Sequence, residues 1–142
     1  MRSVPESADV PTSTQEPAWQ GPRLVALRGA TSVEANEREA ILTRTVEMLE
    51  ELIARNGLGP EDAVSAIFTV TADLDAEFPA VAARQIGFDQ VPLLCAQEIP
   101  VPGSLPLVVR ILLHAYAPAG FKARHVYLHA AKALRADLEA AQ

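Results

Sequence analysis

The sequence predicts one domain of the α/β class, an α+β fold in which a mixed sheet packs against one long and one short helix. The chain has 142 residues, which is enough for one domain and not for two. One long run shows helical spacing of its apolar residues, and several shorter runs are rich in β-branched residues. These patterns alternate along the chain, as they do when helices cover a sheet.

The first 20 residues do not have the composition of a folded segment. They are rich in Pro, Ser, Thr and Glu, and Trp19 is their one large apolar side chain. Such a composition buries too little apolar surface to offset the entropy lost on ordering. We therefore expect residues 1–20 to form a disordered extension and residues 21–142 to form the domain.

The domain is predicted to begin with a strand and to continue with a long amphipathic helix. Alternation along the strand puts Arg28 on the face opposite to Leu27 and directly before Gly29. The helix has Asn36 as its expected cap and ends near Gly57. Its apolar stripe is predicted to consist of Ile41, Leu42, Val46, Leu49, Leu52 and Ile53.

The remaining elements are three strands, a short helix and a tail. The run AVSAIFTVTADL predicts a buried second strand, and DAEFPAVAARQIGFDQ predicts a short helix with Pro79 in its first turn. The runs VPLLCAQE and LPLVVRILLHAYA predict the third and fourth strands. The tail, RHVYLHAAKALRADLEAAQ, begins like a strand and then becomes Ala-rich and helical.

Composition excludes several classes of function. The net charge is −6 and no basic run occurs, so the sequence has no electrostatic footprint for nucleic acid. No run approaches the ~18 consecutive apolar residues of a membrane helix, and the N-terminus lacks the apolar region of a secretory signal. The single cysteine fits a reducing, cytoplasmic environment. Hydrophobic residues make up 49% of the chain, which favours burial of the excess against copies of itself.

Two ionisable residues lie in apolar strands. Arg110 interrupts the run PLVVRILLHA, and it needs a partner because an unpaired buried charge is costly. That partner is either a core carboxylate such as Glu98 or an anionic ligand. Cys95 and Glu98 are three residues apart, so they face one ligand only if the strand ends or bulges between them. Cys95 has no nearby cation in the sequence, which favours a small buried side chain over a nucleophile.

The sequence contains no familiar covalent, acid–base or metal-binding motif. His125 and His129 have the spacing of helical zinc ligands, but the accompanying glutamate and a third ligand are missing. Neither a nucleophile elbow nor a phosphate-binding loop is present. We therefore predict no metal site.

Four short motifs, in this order, resemble one protein family. RGATSVEANEREAIL, FPAVAAR, VPLLCAQE and RHVYL, with Arg110 between the last two, are similar to the AroH-type chorismate mutases. The similarity extends from about Arg23 to Leu138. It implies a pseudo-α/β-barrel homotrimer with active sites between subunits and no cofactor. The implied reaction is the pericyclic rearrangement of chorismate to prephenate in aromatic amino-acid synthesis.

The resemblance also implies roles for individual residues. Arg28 would bind the enolpyruvyl carboxylate with the Tyr127 hydroxyl, and Arg110 would reach the ether oxygen and that carboxylate. Glu98 would accept a hydrogen bond from the ring hydroxyl, with Cys95 beside it. The further substrate-binding residues implied are Leu94, Ala96 and Gln97 near Glu98, Phe78 and Arg84 from the neighbouring subunit, and Leu134 and Arg135 from a mobile tail.

Some positions depart from the family pattern, and two other functions stay open. Val81 and Leu94 stand where family members often have Lys and Thr, and one residue is missing near Gly87; these departures affect binding strength more than chemistry. One alternative is a ligand-binding or imine-deaminating protein of the YjgF/RidA kind. It needs one carboxylate-binding arginine and does not explain two site arginines with the Cys95–Glu98 pair. The other is an inactive regulatory module that binds an acid of the aromatic pathway.

Overall fold

Five strands form one mixed sheet in the computed structural model, which describes residues 19–135. The strands are β1 (Arg23–Ser32), β2 (Ala63–Val70), β3 (Leu93–Gln97), β4 (Val108–Ala117) and β5 (Val126–Leu128). Their order across the sheet is β3-β2-β4-β1-β5. Strand β4 is antiparallel to β1 and β2, whereas the β2–β3 and β1–β5 pairs are parallel. The predicted mixed α+β class is confirmed.

Helix α1 (Arg38–Asn56) covers one face of this sheet. It ends as predicted, because Gly57 adopts φ 63° and donates its N–H to the Ile53 carbonyl at 2.8 Å. The stripe on its buried side shifts slightly from the prediction, since Val46 and Ile53 are only half-buried. The side chains that are fully buried are Ile41, Leu42, Thr45, Met48, Leu49 and Leu52.

The start of α1 differs from the prediction. The N-cap residue is Glu37, without a side-chain cap, and Asn36 does not cap the helix. Instead, Asn36 Oδ1 accepts the backbone N–H groups of Asp75 and Ala76, both at 3.0 Å. Asn36 thus ties the loop before α1 to the loop before the next helix. A long-range contact replaces the local cap, and spacing along the chain does not reveal such a contact.

Helix α2 (Pro79–Gln85) packs against α1 and β3. Pro79 lies in its first turn, where the missing N–H costs no intrahelical hydrogen bond. The N–H of Phe78, the N-cap residue, donates to the Glu77 carboxylate at 2.8 Å. The short helix is therefore present as predicted, and its start fixes Phe78 at the surface.

The inner face of the sheet and helix α1 form the core. Leu27, Phe68 and Ile111, each from a different strand, are almost completely buried there. Gly29 lies on the same face, and a Cβ at that position would come within 2.9 Å of Ile111 Cγ2 and 3.3 Å of Met48 Cγ. The missing side chain of Gly29 therefore lets α1 pack close to the strand that carries Arg28.

The outer face of the sheet, opposite to helix α1, exposes apolar side chains. Strand pairing puts Leu24 opposite Tyr116, and Ile67 opposite both Leu112 and Leu94, all on this face. Leu94 is 61% exposed and Leu24 57% exposed. Such a contiguous apolar surface is typical of an interface with another protein surface.

The chain ends of the described region border the sheet. Trp19 is exposed and donates its indole N–H to the Pro22 carbonyl at 2.8 Å. At the other end, a 3₁₀ turn (His129–Ala131) follows β5 and leads into helical residues 132–135. The predicted extension, apart from Trp19 and Gln20, and residues 136–142 lie outside the described residues. None of the helices within 19–135 is long and apolar enough to cross a bilayer.

Candidate active site

A cavity of about 510 Å³ opens on the outer face of the sheet. Two arginines, Arg28 and Arg110, and one glutamate, Glu98, are its charged residues, so the lining carries an excess of positive charge. The tyrosine hydroxyl of Tyr127 and a threonine hydroxyl are the other polar groups. The full lining consists of Arg28, Gly29, Ala30, Ile67, Thr69, Glu98, Arg110, Ile111, Leu112, Tyr127 and Leu134.

Arg110 reaches this cavity from the central strand β4. Its neighbours in register are Ala30 on β1 and Thr69 on β2, so small or polar side chains flank the guanidinium. Arg110 Nε lies 3.4 Å from Glu98 Oε1. That distance fits an ion pair, but the N–H does not point along it, and within residues 19–135 the buried Nε has no hydrogen-bond partner. Arg110 thus retains an unsatisfied donor in the cavity wall.

Glu98 lies where β3 ends. Its N–H donates to the Val70 carbonyl at 2.8 Å, which extends the β2–β3 ladder by one step. Its Oε1 accepts the Thr69 hydroxyl at 2.5 Å. Within residues 19–135, Thr69 and Arg110 both contact Oε1 of the carboxylate, and Oε2 can accept a hydrogen bond from a ligand.

Arg28 and Tyr127 reach the cavity from the parallel strands β1 and β5. Tyr127 pairs with Ala30, two residues after Arg28 and on the same face. The Tyr127 hydroxyl is buried and has no hydrogen-bond partner among the described residues. The Arg28 backbone N–H donates to Nδ1 of His125 at 2.9 Å. Two arginines and a tyrosine hydroxyl therefore converge from three strands, which suits a ligand with carboxylate groups.

Cys95 does not share this cavity with Glu98. The alternation of β3 continues through Gln97, and Cys95 pairs with Phe68, which points into the core. Cys95 therefore packs inward, whereas Glu98 lies beyond the strand end on the outer face. Within one subunit, the expectation that Cys95 and Glu98 face one cleft is wrong, because the strand ends after Gln97 without a bulge that would reverse Cys95.

Cys95 lines a second depression, of about 360 Å³, beside the free edge of β3. Ala96, Gln97 and Phe78 line it as well, and Phe78 is 65% exposed. The sequence-predicted residues are thus divided between two surfaces of the subunit. Leu94 is exposed on the outer face, and Arg84 is exposed on α2.

The tail contributes to the first cavity. Leu134 is half-buried and lines it, and Arg135 is exposed in the same helical turn. His129 adopts a left-handed backbone conformation with φ 53° at the start of this turn. Its Nε2 lies 2.6 Å from Glu47 Oε1 on α1, so the base of the tail is attached to the helix.

Within residues 19–135, no three metal-ligating side chains come together. The histidines that are spaced like zinc ligands have other neighbours. His125 accepts the N–H of Arg28, and His129 contacts Glu47. Burial, and in second place the charge of Arg28, lowers the pKa of His125 below its ordinary value of 6.5.

Two residues at the site were missed by sequence reasoning. Thr69 looks like any strand-forming residue, and its contact with Glu98 depends on the β2–β3 register. His125 was considered only as a metal ligand. The motif RHVYL puts His125 two residues before Tyr127, which was a usable signal, but its partner on β1 depends on the parallel pairing.

Comparisons with known proteins agree on one family. Residues 24–138 match the family model described as chorismate mutase type I. The chorismate mutase AroH of Thermus thermophilus is 50% identical over 119 residues, which are 82% of this chain and 97% of that protein. That of Bacillus subtilis (strain 168) is 40% identical over 114 residues, covering 79% and 90%. A solved chorismate mutase from Clostridium thermocellum superposes with a TM-score of 0.74 at 45% identity and covers 77% of this chain and 98% of its own.

Proposed function

The chain belongs to the chorismate mutase type I family, and from that premise we propose which of its residues carry the reaction. It is a chorismate mutase, an isomerase that rearranges chorismate to prephenate in aromatic amino-acid biosynthesis. The substrate is a flexible dianion whose reactive conformer brings its two ends together. A site that holds both ends lowers the entropic part of the barrier.

Arg110 stabilises the breaking bond in this proposal. Negative charge builds on the ether oxygen as the C–O bond lengthens, and a fixed guanidinium there favours the transition state over the ground state. The observation that carries the assignment is the buried Nε of Arg110, which has no hydrogen-bond partner in the described region and belongs to a residue that lines the cavity. A substrate oxygen supplies the missing acceptor.

Arg28, Tyr127 and Glu98 fix the substrate around that bond. Arg28 and the Tyr127 hydroxyl, which also lacks a partner within 19–135, bind the enolpyruvyl carboxylate. Glu98, anchored by Thr69, accepts a hydrogen bond from the ring hydroxyl. Leu134 and Arg135 come from the tail and help to close the cavity over the substrate.

The second depression is the part of the site that a subunit gives to its neighbour. Phe78, Cys95, Ala96 and Gln97 lie at the free edge of β3, away from the cavity of their own subunit. Arg84 on α2 and the exposed Leu94 belong to this donated surface. Cys95 therefore reaches the substrate bound next to Glu98 of another subunit.

A homotrimer follows from this arrangement in the proposal. The apolar outer face and the exposed β3 edge are buried against other copies, and the resulting pseudo-α/β barrel has three active sites between subunits. The single cysteine and the pathway support a cytoplasmic location.

Turnover of chorismate tests the activity. Purified protein is mixed with chorismate, and prephenate is measured after acid conversion to phenylpyruvate. A folded oligomer that binds chorismate but forms no prephenate above the uncatalysed rate would identify the inactive regulatory module instead. The imine-deaminase alternative is tested with imines formed from amino acids, for which we expect no enhanced hydrolysis.

Subunit mixing tests the shared site. Arg110→Ala damages the cavity of its own subunit, and Phe78→Glu puts a negative charge on the surface that is given to the neighbour. Each variant alone is expected to lose activity. Mixed trimers contain a site that combines the intact Arg110 of one subunit with the intact Phe78 of the other, so activity returns on subunit exchange. No recovery in verified mixed trimers would show that the site is built within one subunit.

A further inference from the structure

The imidazole of His125 replaces a missing ladder bond next to Arg28. Strand β5 begins at Val126, and its first pair with β1 is Gly29 with Val126. The N–H of Arg28 therefore has no backbone partner on β5. It donates to Nδ1 of His125 at 2.9 Å, across 97 residues of sequence. One side chain thus extends the β1–β5 hydrogen bonding next to Arg28 and Tyr127, the two residues proposed to bind the substrate carboxylate.

The position of this bond links both proposed carboxylate ligands. Arg28 is the residue whose N–H is held, and Tyr127 follows His125 by two residues on β5. Strand β5 is only three residues long, so few backbone bonds attach it to β1. The imidazole therefore adds a hydrogen bond to the short pairing between the strands that carry Arg28 and Tyr127.

The bond requires the neutral imidazole. Nδ1 accepts a hydrogen bond only when the ring proton is on Nε2. Protonation of Nδ1 would bring its N–H against the N–H of Arg28, and the hydrogen bond would be lost. The charged group facing the ring is Arg28 of β1, which also opposes protonation. From helix α1, the residue at this end is the neutral Asn56, which holds the backbone of Arg124 at 2.8 Å through both Nδ2 and Oδ1. On β5 itself, the nearby titratable group is Tyr127.

We propose that His125 is a positioning residue. Its neutral imidazole holds the Arg28 backbone in place for carboxylate binding, and protonation of the imidazole breaks this hydrogen bond. This proposal rests on the proposed role of Arg28 as a substrate ligand. It predicts an effect on substrate affinity more than on the chemical step, because Arg110 and Glu98 are on other strands. The affinity for chorismate therefore weakens when the imidazole becomes charged.

Two variants separate positioning from a general structural role. His125→Asn keeps an acceptor at the place of Nδ1 but does not titrate, and His125→Leu keeps bulk without an acceptor. KM and kcat for chorismate are measured for each between about pH 5 and pH 8.

The expected results are specific to each variant. At neutral pH, His125→Leu raises KM by about three- to tenfold, as loss of one hydrogen bond implies, and changes kcat by less than about twofold. His125→Asn restores a KM close to that of the wild type. As the pH falls through the lowered pKa of His125, KM rises for the wild type but stays level for His125→Asn. Superimposable pH profiles of the wild type and His125→Asn would overturn the proposal, as would an unchanged KM in His125→Leu.

The ring nitrogens give a readout that does not depend on turnover. In ¹⁵N-labelled protein, His125 is expected as the neutral Nε2–H tautomer at pH 7, with Nδ1 shifted by an accepted hydrogen bond. A Nδ1–H tautomer would refute the positioning role even if the enzyme is active. Conversely, wild-type protein that shows the expected tautomer but no turnover would refute the proposed function and leave the hydrogen bond established.

Discussion

Arg110→Met is expected to abolish most activity while leaving the fold as stable as before or more stable. Methionine has similar length and fits an apolar strand, so the change removes the guanidinium without opening a large cavity. Arg110 lies on β4 between β1 and β2, and its Nε has no hydrogen-bond partner within residues 19–135. The substitution therefore removes one buried N–H that has no hydrogen-bond acceptor within those residues.

The magnitudes follow from the contacts of Arg110. Loss of one donor aimed at developing charge costs ~3–4 kcal/mol in the transition state, a few hundred-fold in kcat. In the folded protein, an unsatisfied buried N–H costs about 1–3 kcal/mol of stability, and Arg110→Met removes this cost. The contact with Glu98 at 3.4 Å joins side chains that are 40% and 30% exposed, so its loss costs only about 0–1 kcal/mol. The net change in unfolding free energy is a gain of ~0–3 kcal/mol.

The assay combines kcat and thermal unfolding of Arg110→Met with those of Arg55→Met as a control. Arg55 is a half-exposed arginine on α1, paired with Glu51 at 2.8 Å and remote from the cavity. We expect the control to keep wild-type turnover. For Arg110→Met, Tm is expected to be unchanged or up to about 12 °C higher. A kcat within tenfold of the wild type, or a Tm that falls with loss of the oligomer, would refute the role assigned to Arg110.

Three further substitutions test neighbouring contacts. Thr69→Val frees the carboxylate of Glu98 and is expected to lower kcat/KM by about three- to tenfold, measured by chorismate turnover, with the fold unchanged. Gly29→Ala forces a Cβ to within 2.9 Å of Ile111 and is expected to cost ~1–3 kcal/mol in urea unfolding. Because the pKa of His125 is lowered, its contribution to stability is full above about pH 6.5 and is lost as the pH falls through the lower folded-state pKa. His125→Asn is expected to remove this slope from the dependence of unfolding free energy on pH.

The sequence was sufficient for the elements whose signals are local. Apolar spacing and Gly57 predict α1, and alternation along β1 correctly predicts that Arg28 and Leu27 lie on opposite faces of the sheet. Arg110 was recognised because a charge in an apolar strand is expensive to bury, wherever that strand lies in the sheet. These signals depend on one segment at a time, so they remain valid whatever the topology.

Contacts between distant segments were not predictable in the same way. Spacing along the chain predicts Asn36 as a local cap, but its side chain forms a hydrogen bond with Asp75. Thr69 contacts Glu98 only because β2 and β3 pair in a particular register. The bond from Arg28 to His125 spans 97 residues. In each case, the donor and acceptor types were visible in the sequence, while the partner was set by strand order.

The separation of Cys95 from Glu98 bears on how the whole site is assembled. Two residues three apart in a regular strand face opposite sides, and the structure keeps that rule up to the last residue of β3. In the proposed homotrimer, a short strand that ends between two surfaces supplies the cavity of its own subunit with Glu98 and the cavity of a neighbour with Cys95. On this reasoning, the five-residue length of β3 is itself a functional feature. Lengthening it by two residues would keep its alternation but move Glu98 away from Arg110, and it would disconnect the two halves of the site.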